Sequence, residues 1–162
     1  MDEFLTSQGY EVFISDLNAL NEEDESIDWA QDPLDYDIIV VATPLSKTGD
    51  VLLELAKLKP RGLIIDIASL KSPLRKGLGE LKKVGCKVTS IHPMFGPDTR
   101  LLSHKHLVLI DLGDTRALTE VTELFSSTMV DMVVMSLDEH DKVMGYILGL
   151  SHIINIAFMD VL

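Results

Sequence analysis

The 162-residue chain has a single cysteine, Cys86, so no internal disulfide can staple it. That fits a reducing compartment. Positive charge is scarce: 14 lysines and arginines stand against 26 acidic residues, a net charge of −12. Such a chain is a poor general binder of DNA, RNA or anionic lipid, which sets nucleic acid and membrane surfaces aside as partners. A local basic pocket for a small anion is not excluded by it. We read no apolar run as reaching the length of a membrane span. The N-terminus, Met1-Asp2-Glu3-Phe4-Leu5, lacks the basic region and apolar core of a secretory signal, so a cytoplasmic protein is expected. No His/Cys pair has metal-ligand spacing, and no metal is expected. Repeats and low-complexity tracts are missing too. The acidic stretch at 21–26 reads as a solvated loop.

What is present is a chain of one domain's length, with 46% apolar and 25% charged residues, a balance that argues against disorder. Apolar, β-branched runs alternate with segments of helical period. Strands are expected at 11–15, 36–42, 62–67, 87–91 and 106–110, with a short sixth at 132–135. Continuous apolar strands mark a sheet covered on both faces, the parallel-sheet pattern. Helices are expected at 48–58, stopped by Pro60, and at 73–84, opened by Pro73. A third starts after Asp114 and runs to about Ser127. The last and most apolar begins near Asp138 and continues to the end. This alternation predicts an α/β fold: a doubly wound, Rossmann-like, mostly parallel sheet.

Such a domain should open with a strand, a glycine-rich turn and a helix. Here the chain opens inside what reads as that helix, Phe4-Leu5-Thr6-Ser7-Gln8, closed by Gly9. The first strand and the glycine loop are absent from the sequence, and its last residues sit within an apolar helix. The expectation is therefore an incomplete nucleotide-binding domain, 1–136, followed at 137–162 by the first helix of an all-helical domain.

The carboxyl ends of parallel strands form the ligand crevice of such folds, and the candidate residues follow from it. Asp16 ends the first expected strand, where an acid accepts hydrogen bonds from an adenosine ribose and repels a 2′-phosphate; it is equally a turn-forming aspartate. Thr43 and Pro44 end the next; alone they read best as a simple strand-ending turn. In Asp66-Ile67-Ala68-Ser69-Leu70-Lys71, Ser69 and Lys71 can both face the crevice, the lysine as a point charge for an anion. The bland reading is a helix cap beside a solvated lysine. In His92-Pro93-Met94-Phe95-Gly96-Pro97-Asp98 a histidine follows a strand directly and is held by a proline. Imidazole is the side chain best poised for proton transfer near neutral pH, although a lone histidine is more often structural. Asp138, Glu139 and Asp141 suit a helix N-terminus by charge alone, with His140 as a local cap partner. Ser151, His152 and Asn155 place polar groups on one side of the last helix, as a ligand wall or a partner face.

Taken in order, these stretches resemble prephenate dehydrogenase, the NAD-dependent enzyme family of tyrosine biosynthesis. The likeness runs from Gly9-Tyr10-Glu11-Val12 and Asp16 through Val41-Ala42-Thr43-Pro44 and the Asp66–Lys71 stretch. It continues with the His92–Asp98 stretch, its most specific part, and ends with Glu139-His140-Asp141 and Ser151-His152. The resemblance implies oxidative decarboxylation of prephenate to 4-hydroxyphenylpyruvate with NAD+ as hydride acceptor. It casts His92 and Ser69 as catalytic, and Asp16, Thr43, Pro44 and Ser69 as cofactor-binding. Lys71, Ser151 and His152 become candidates for the substrate, with Arg75 and Arg100 as further cations. It also implies a homodimer through the helical domain and tyrosine as a feedback inhibitor. Two departures stand out. The family's Gly-x-Gly-x-x-Gly loop is not in the sequence, and Asn155 stands where some relatives carry a second histidine. Two alternatives are an arogenate-preferring enzyme and a non-catalytic relative that senses tyrosine or dimerises. The wider 3-hydroxyacid and 6-phosphogluconate dehydrogenase group is a third, disfavoured by His92 because its members usually use a lysine.

Overall fold

The computed structural model describes residues 1–16, 32–96 and 98–159. The acidic stretch at 21–26 and Pro97 of the Gly96-Pro97 turn lie outside the described residues. The chain divides into two compact units, Met1–Asp35 and Tyr36–Leu162.

In the first unit, α1 (Asp2–Ser7) buries Leu5, and Gly9 follows it at φ +90, a left-handed conformation that suits glycine. The segment 11–15, expected as a strand, pairs with no described strand.

The second unit holds a five-stranded sheet in the order β1 (Ile38–Val41), β2 (Leu63–Asp66), β3 (Val88–Pro93), β4 (His106–Ile110), β5 (Asp131–Met135). All neighbours are parallel except β3 and β4, which run antiparallel with His92 opposite Val108. Every residue of β2 is buried, as a strand apolar on both faces requires. Three helices accompany the strands: α2 (Leu45–Leu58), α3 (Arg75–Lys83) after a 3₁₀ turn at Ser72–Leu74, and α4 (Thr115–Phe125). Helix α2 starts earlier than its periodicity suggests, because Pro44 serves as N-cap residue, and Lys59 ends it in a left-handed conformation just before Pro60. Asp114 caps α4, accepting from the N–H groups of Arg116 and Ala117. Helices α2 and α3 approach closely because residue 77 is glycine; a Cβ there would lie 2.6 Å from that of Leu52.

The chain ends in α5 (Leu137–Met159), 23 residues long. Ser136 and Glu139 form a reciprocal cap: the Ser136 N–H and hydroxyl donate to Glu139 Oε2 at 2.9 and 2.7 Å, and the Glu139 N–H donates to Ser136 Oγ at 3.3 Å. Leu137, His140 and Met144 are buried, whereas large apolar residues from Tyr146 to Met159 are exposed. With mean hydropathy 1.4, the helix is long and apolar enough to cross a membrane, correcting the expectation that no run reaches that length. Core helices of soluble proteins meet the same measure.

Candidate active site

The carboxyl ends of β1, β2 and β3 lie side by side; the loops after β1 and β2 carry Thr43 and Ser69, and His92 lies near the end of β3 itself. The first turn of α5 completes the site. His92 Nδ1 lies 2.9 Å from His140 Nε2, and His140 Nδ1 lies 2.7 Å from Asp141 Oδ1. The two rings meet edge to face, their centroids 5.1 Å apart. Asp141 also receives two backbone N–H groups from the loop after β2, that of Lys71 at 2.9 Å and that of Ser72 at 2.6 Å. One carboxylate thus fixes both the loop bearing Ser69 and the histidine pair. Arg75 and Asp138 form a second, exposed ion pair between the same two regions.

Burial decides the electrostatics. His92 is 8% exposed and His140 fully buried. Burial above all, then the neighbouring His140 ring and the Lys71 ammonium, push His92 down to about 4, with Asp141 pulling the other way. His92 is therefore neutral at pH 7. Burial raises Asp141, but the hydrogen bonds from Ser72, Lys71 and His140 outweigh it and hold the carboxyl at about 2. His92 Nε2 has no hydrogen-bond partner among the described residues. Buried side-chain polar atoms without a partner are Asp66 Oδ2 and Ser90 Oγ, so Nε2 must touch solvent.

Lys71 corrects the sequence expectation. It does not face the crevice as a charge for an anion: it is fully buried, its Nζ donating to Asp66 Oδ1 at 2.8 Å and to the Ile91 carbonyl at 2.7 Å. Burial lowers its pKa, with Asp66 and Asp141 opposing. The reason is Asp66: a carboxylate at the end of a fully buried strand requires a cation, and Lys71 supplies it.

Thr43 forms the strand-ending turn read from the sequence. Its hydroxyl donates to Thr48 Oγ1 at 3.1 Å and its carbonyl accepts from the same hydroxyl at 3.0 Å, so both groups hold the start of α2. Pro44 stays exposed at that helix start, and Ser69 is exposed after β2 with no hydrogen-bond partner among the described residues. Asp16 lies on the exposed end of the first unit's extended segment. Ser151 and His152 are not brought to His92. They are exposed on α5, about 18 Å beyond His140 for His152 at the usual helical rise, and the Ser151 hydroxyl donates to its own helix at Ile147. Among the described residues no cluster of His, Cys, Asp or Glu could hold a metal.

Sequence reasoning treated His140 and Asp141 as helix-end residues. They sit inside the polar run 138–142 that opens the helix, so local pattern does not separate the buried His140 from the exposed Asp138 and Glu139 beside it.

A family model for the nucleotide-binding domain of prephenate dehydrogenase matches residues 7–134. The chain belongs to this family. A probable arogenate/prephenate dehydrogenase of Methanocaldococcus jannaschii is 32% identical over 120 residues, covering 72% of this chain and 27% of that protein. A prephenate dehydrogenase of Lactococcus lactis is 30% identical, covering 81% of this chain and 39% of the relative. The chain thus spans well under half of these relatives. The fold matches the crystal structure of Aquifex aeolicus prephenate dehydrogenase in complex with hydroxyphenyl propionate and NAD+ at TM-score 0.71 and 20% identity, covering 99% of this chain and 63% of that one. The mostly parallel sheet, its helices and the final long helix are therefore those of the prephenate dehydrogenase fold.

Proposed function

We propose that this chain is the nucleotide-binding and proton-accepting part of an NAD-dependent dehydrogenase acting on prephenate or its amino counterpart arogenate. The observation that carries the reading is His92: neutral, nearly buried, with an unpartnered Nε2 reaching solvent beside the carboxyl ends of parallel strands. Family membership supplies the substrate class.

The residues present fit the reacting end of the cofactor. Exposed Ser69 has an uncommitted hydroxyl at the end of β2, beside the Pro44 turn, where a nicotinamide ring would lie in the crevice. Asp16 is the ribose-binding acid by family resemblance. No Gly-x-Gly-x-x-Gly sequence occurs in the 162 residues, so no pyrophosphate contact is assigned here. NAD+, when bound, supplies the hydride acceptor. As hydride leaves the substrate's carbinol carbon, positive charge builds there, and a base on the hydroxyl relieves it. His92 Nε2 takes that proton. The ring carboxylate leaves as CO2, its bonding pair enters the ring as the ring becomes aromatic, and the resulting phenolate oxygen takes the proton back from His92. Ser69 orients the hydroxyl or the nicotinamide from the adjoining loop. The expected homodimer is supported by the exposed apolar side chains of α5, which a second copy would cover.

The test is NADH formation from NAD+ with prephenate, and separately arogenate, by the protein at its natural length. His92→Ala should lower kcat by about 10²–10⁴. An unchanged rate in the variant removes His92 as the base. No rate with either substrate in the unaltered protein overturns the dehydrogenase reading and favours a non-catalytic relative.

A further inference from the structure

We propose that His140 and Asp141 form a proton relay behind His92: His140 fixes the tautomer in which His92 Nε2 accepts a proton, then takes the positive charge onto its own ring. This rests on the reading of His92 as the base for the substrate hydroxyl.

The tautomers follow from hydrogen-bond roles. An ionised Asp141 can only accept, so the proton in its contact with His140 resides on His140 Nδ1. A neutral His140 then has a bare Nε2, and that nitrogen must accept from His92 Nδ1–H across 2.9 Å. With its proton on Nδ1, His92 presents a bare Nε2, the atom the reaction needs. Any other pair of neutral tautomers sets two lone pairs or two N–H groups against each other, or leaves the carboxylate without its donor.

The same contacts allow the charge to move. The substrate O–H bond breaks as His92 Nε2–H forms. The His92 Nδ1–H bond then breaks as His140 Nε2–H forms. His92 returns to neutral with its proton on Nε2, and His140 carries both protons and one positive charge. No electron pair changes atoms between substrate and histidines in the relay itself; when CO2 departs, the C–C pair makes a phenolate and the relay runs in reverse to return the proton to it. Charge is better placed on His140 because of its neighbours. Both rings are buried, so contact decides: His140 Nδ1 has the Asp141 carboxylate at 2.7 Å, whereas His92 has no carboxylate in contact among the described residues and faces the charge of Lys71, itself partnered by Asp66. The other acids of the same turn take no part: Asp138 pairs with Arg75, and Glu139 caps the helix through Ser136. The far end of the relay is anchored, since Asp141 is held by the Lys71 and Ser72 N–H groups. His140 and Asp141 are thus positioning residues that act through His92.

Two substitutions separate holding the tautomer from carrying the proton. The amide of His140→Gln can accept from His92 and donate to Asp141 but cannot carry the charge; His140→Leu can do neither. The first readout is the imidazole nitrogen NMR spectrum of the ¹⁵N-histidine-labelled chain. The unaltered chain should show His92 protonated on Nδ1 and, as pH falls, the pair's first added proton on His140. His140→Gln should keep the His92 tautomer, and His140→Leu should lose it. The second readout is prephenate turnover by the natural-length protein. Both variants should lower kcat about tenfold or more with KM little changed, and should alter the pH profile. Neutral His92 protonated on Nε2, or the first added proton on His92, overturns the relay. So does a His140→Gln protein with the original kcat and pH profile. If His140→Leu fails to fold, His140→Gln alone decides. If the unaltered protein turns over neither prephenate nor arogenate, the dehydrogenase reading falls by itself, and the NMR arm still decides the relay.

Discussion

The two halves of α5 reverse the usual rule of burial. Its first half carries Asp138, Glu139, His140 and Asp141, yet it is the half that packs, with Leu137, His140 and Met144 buried. Its second half is mostly apolar, yet Ile153, Ile154, Ile156 and Phe158 are each more than 60% exposed. The difference shows what attaches the helix. The inner half is fixed by directional contacts: Asp141 to two backbone N–H groups, His140 to His92, and Ser136 to Glu139. The outer half offers area without a partner, as a surface kept for another chain or another domain does. Polar residues at the inner end are tolerated because each is paired, and the pairs build the site.

The comparison breaks most readily at Lys71. Lys71→Met would leave the Asp66 carboxylate buried without its cation, and we expect a loss of about 3–5 kcal/mol in urea denaturation. A loss under about 1 kcal/mol would mean that Asp66 takes up a proton or reaches water, and that polar pairing matters less at this end than argued. Leu137→Ala, which removes apolar packing from the inner half, should cost about 2–3 kcal/mol.

Acid sharpens the contrast further. Unfolded histidine takes up its proton near 6.5, whereas His92 stays neutral until about 4. Between those values the unfolded chain binds more protons, so stability is full above the interval and falls as pH drops through it. Asp141 adds a second loss below it, since its carboxyl stays ionised from 3.8 down to about 2. Discounted for solvent screening, the first interval should cost about 1–2 kcal/mol. His92→Leu should abolish that first slope and leave the second. A slope unchanged by the substitution would assign the loss to other groups.

Much of this was legible in the sequence. The strand at His106–Ile110 was placed to the residue, and Asp114 was identified as the cap of α4, because both depend on local pattern. The sheet and its ligand-bearing end followed from strand–helix alternation. Lys71 misled because its burial depends on Asp66 occupying a strand buried on both faces; an aspartate inside an apolar run was the clue that a cation must come to it. The His92–His140 contact joins residues 48 apart, and no periodicity encodes a meeting between a strand end and a distant helix turn. His92 was legible because His-Pro after a strand is unusual by itself; its partner was not, because a histidine near a helix start is ordinary.

The smallest effect on stability is expected in the outer half of α5, where it is also the most telling. Ile153 is 65% exposed, so Ile153→Gln removes little buried surface and should change the chain's stability by no more than about 0.5 kcal/mol. Its effect should appear in association instead. If a second copy covers this face, sedimentation of the unaltered protein should show a dimer at micromolar concentration, and Ile153→Gln paired with Ile156→Gln should shift it toward monomer. A large loss of stability in the monomer would mean that the outer half packs within the chain after all. An unaltered dimer would place the contact elsewhere. The same substitutions should leave the imidazole spectrum of His92 unchanged, because its relay is fixed at the inner end of the helix and the exposed isoleucines touch no part of it.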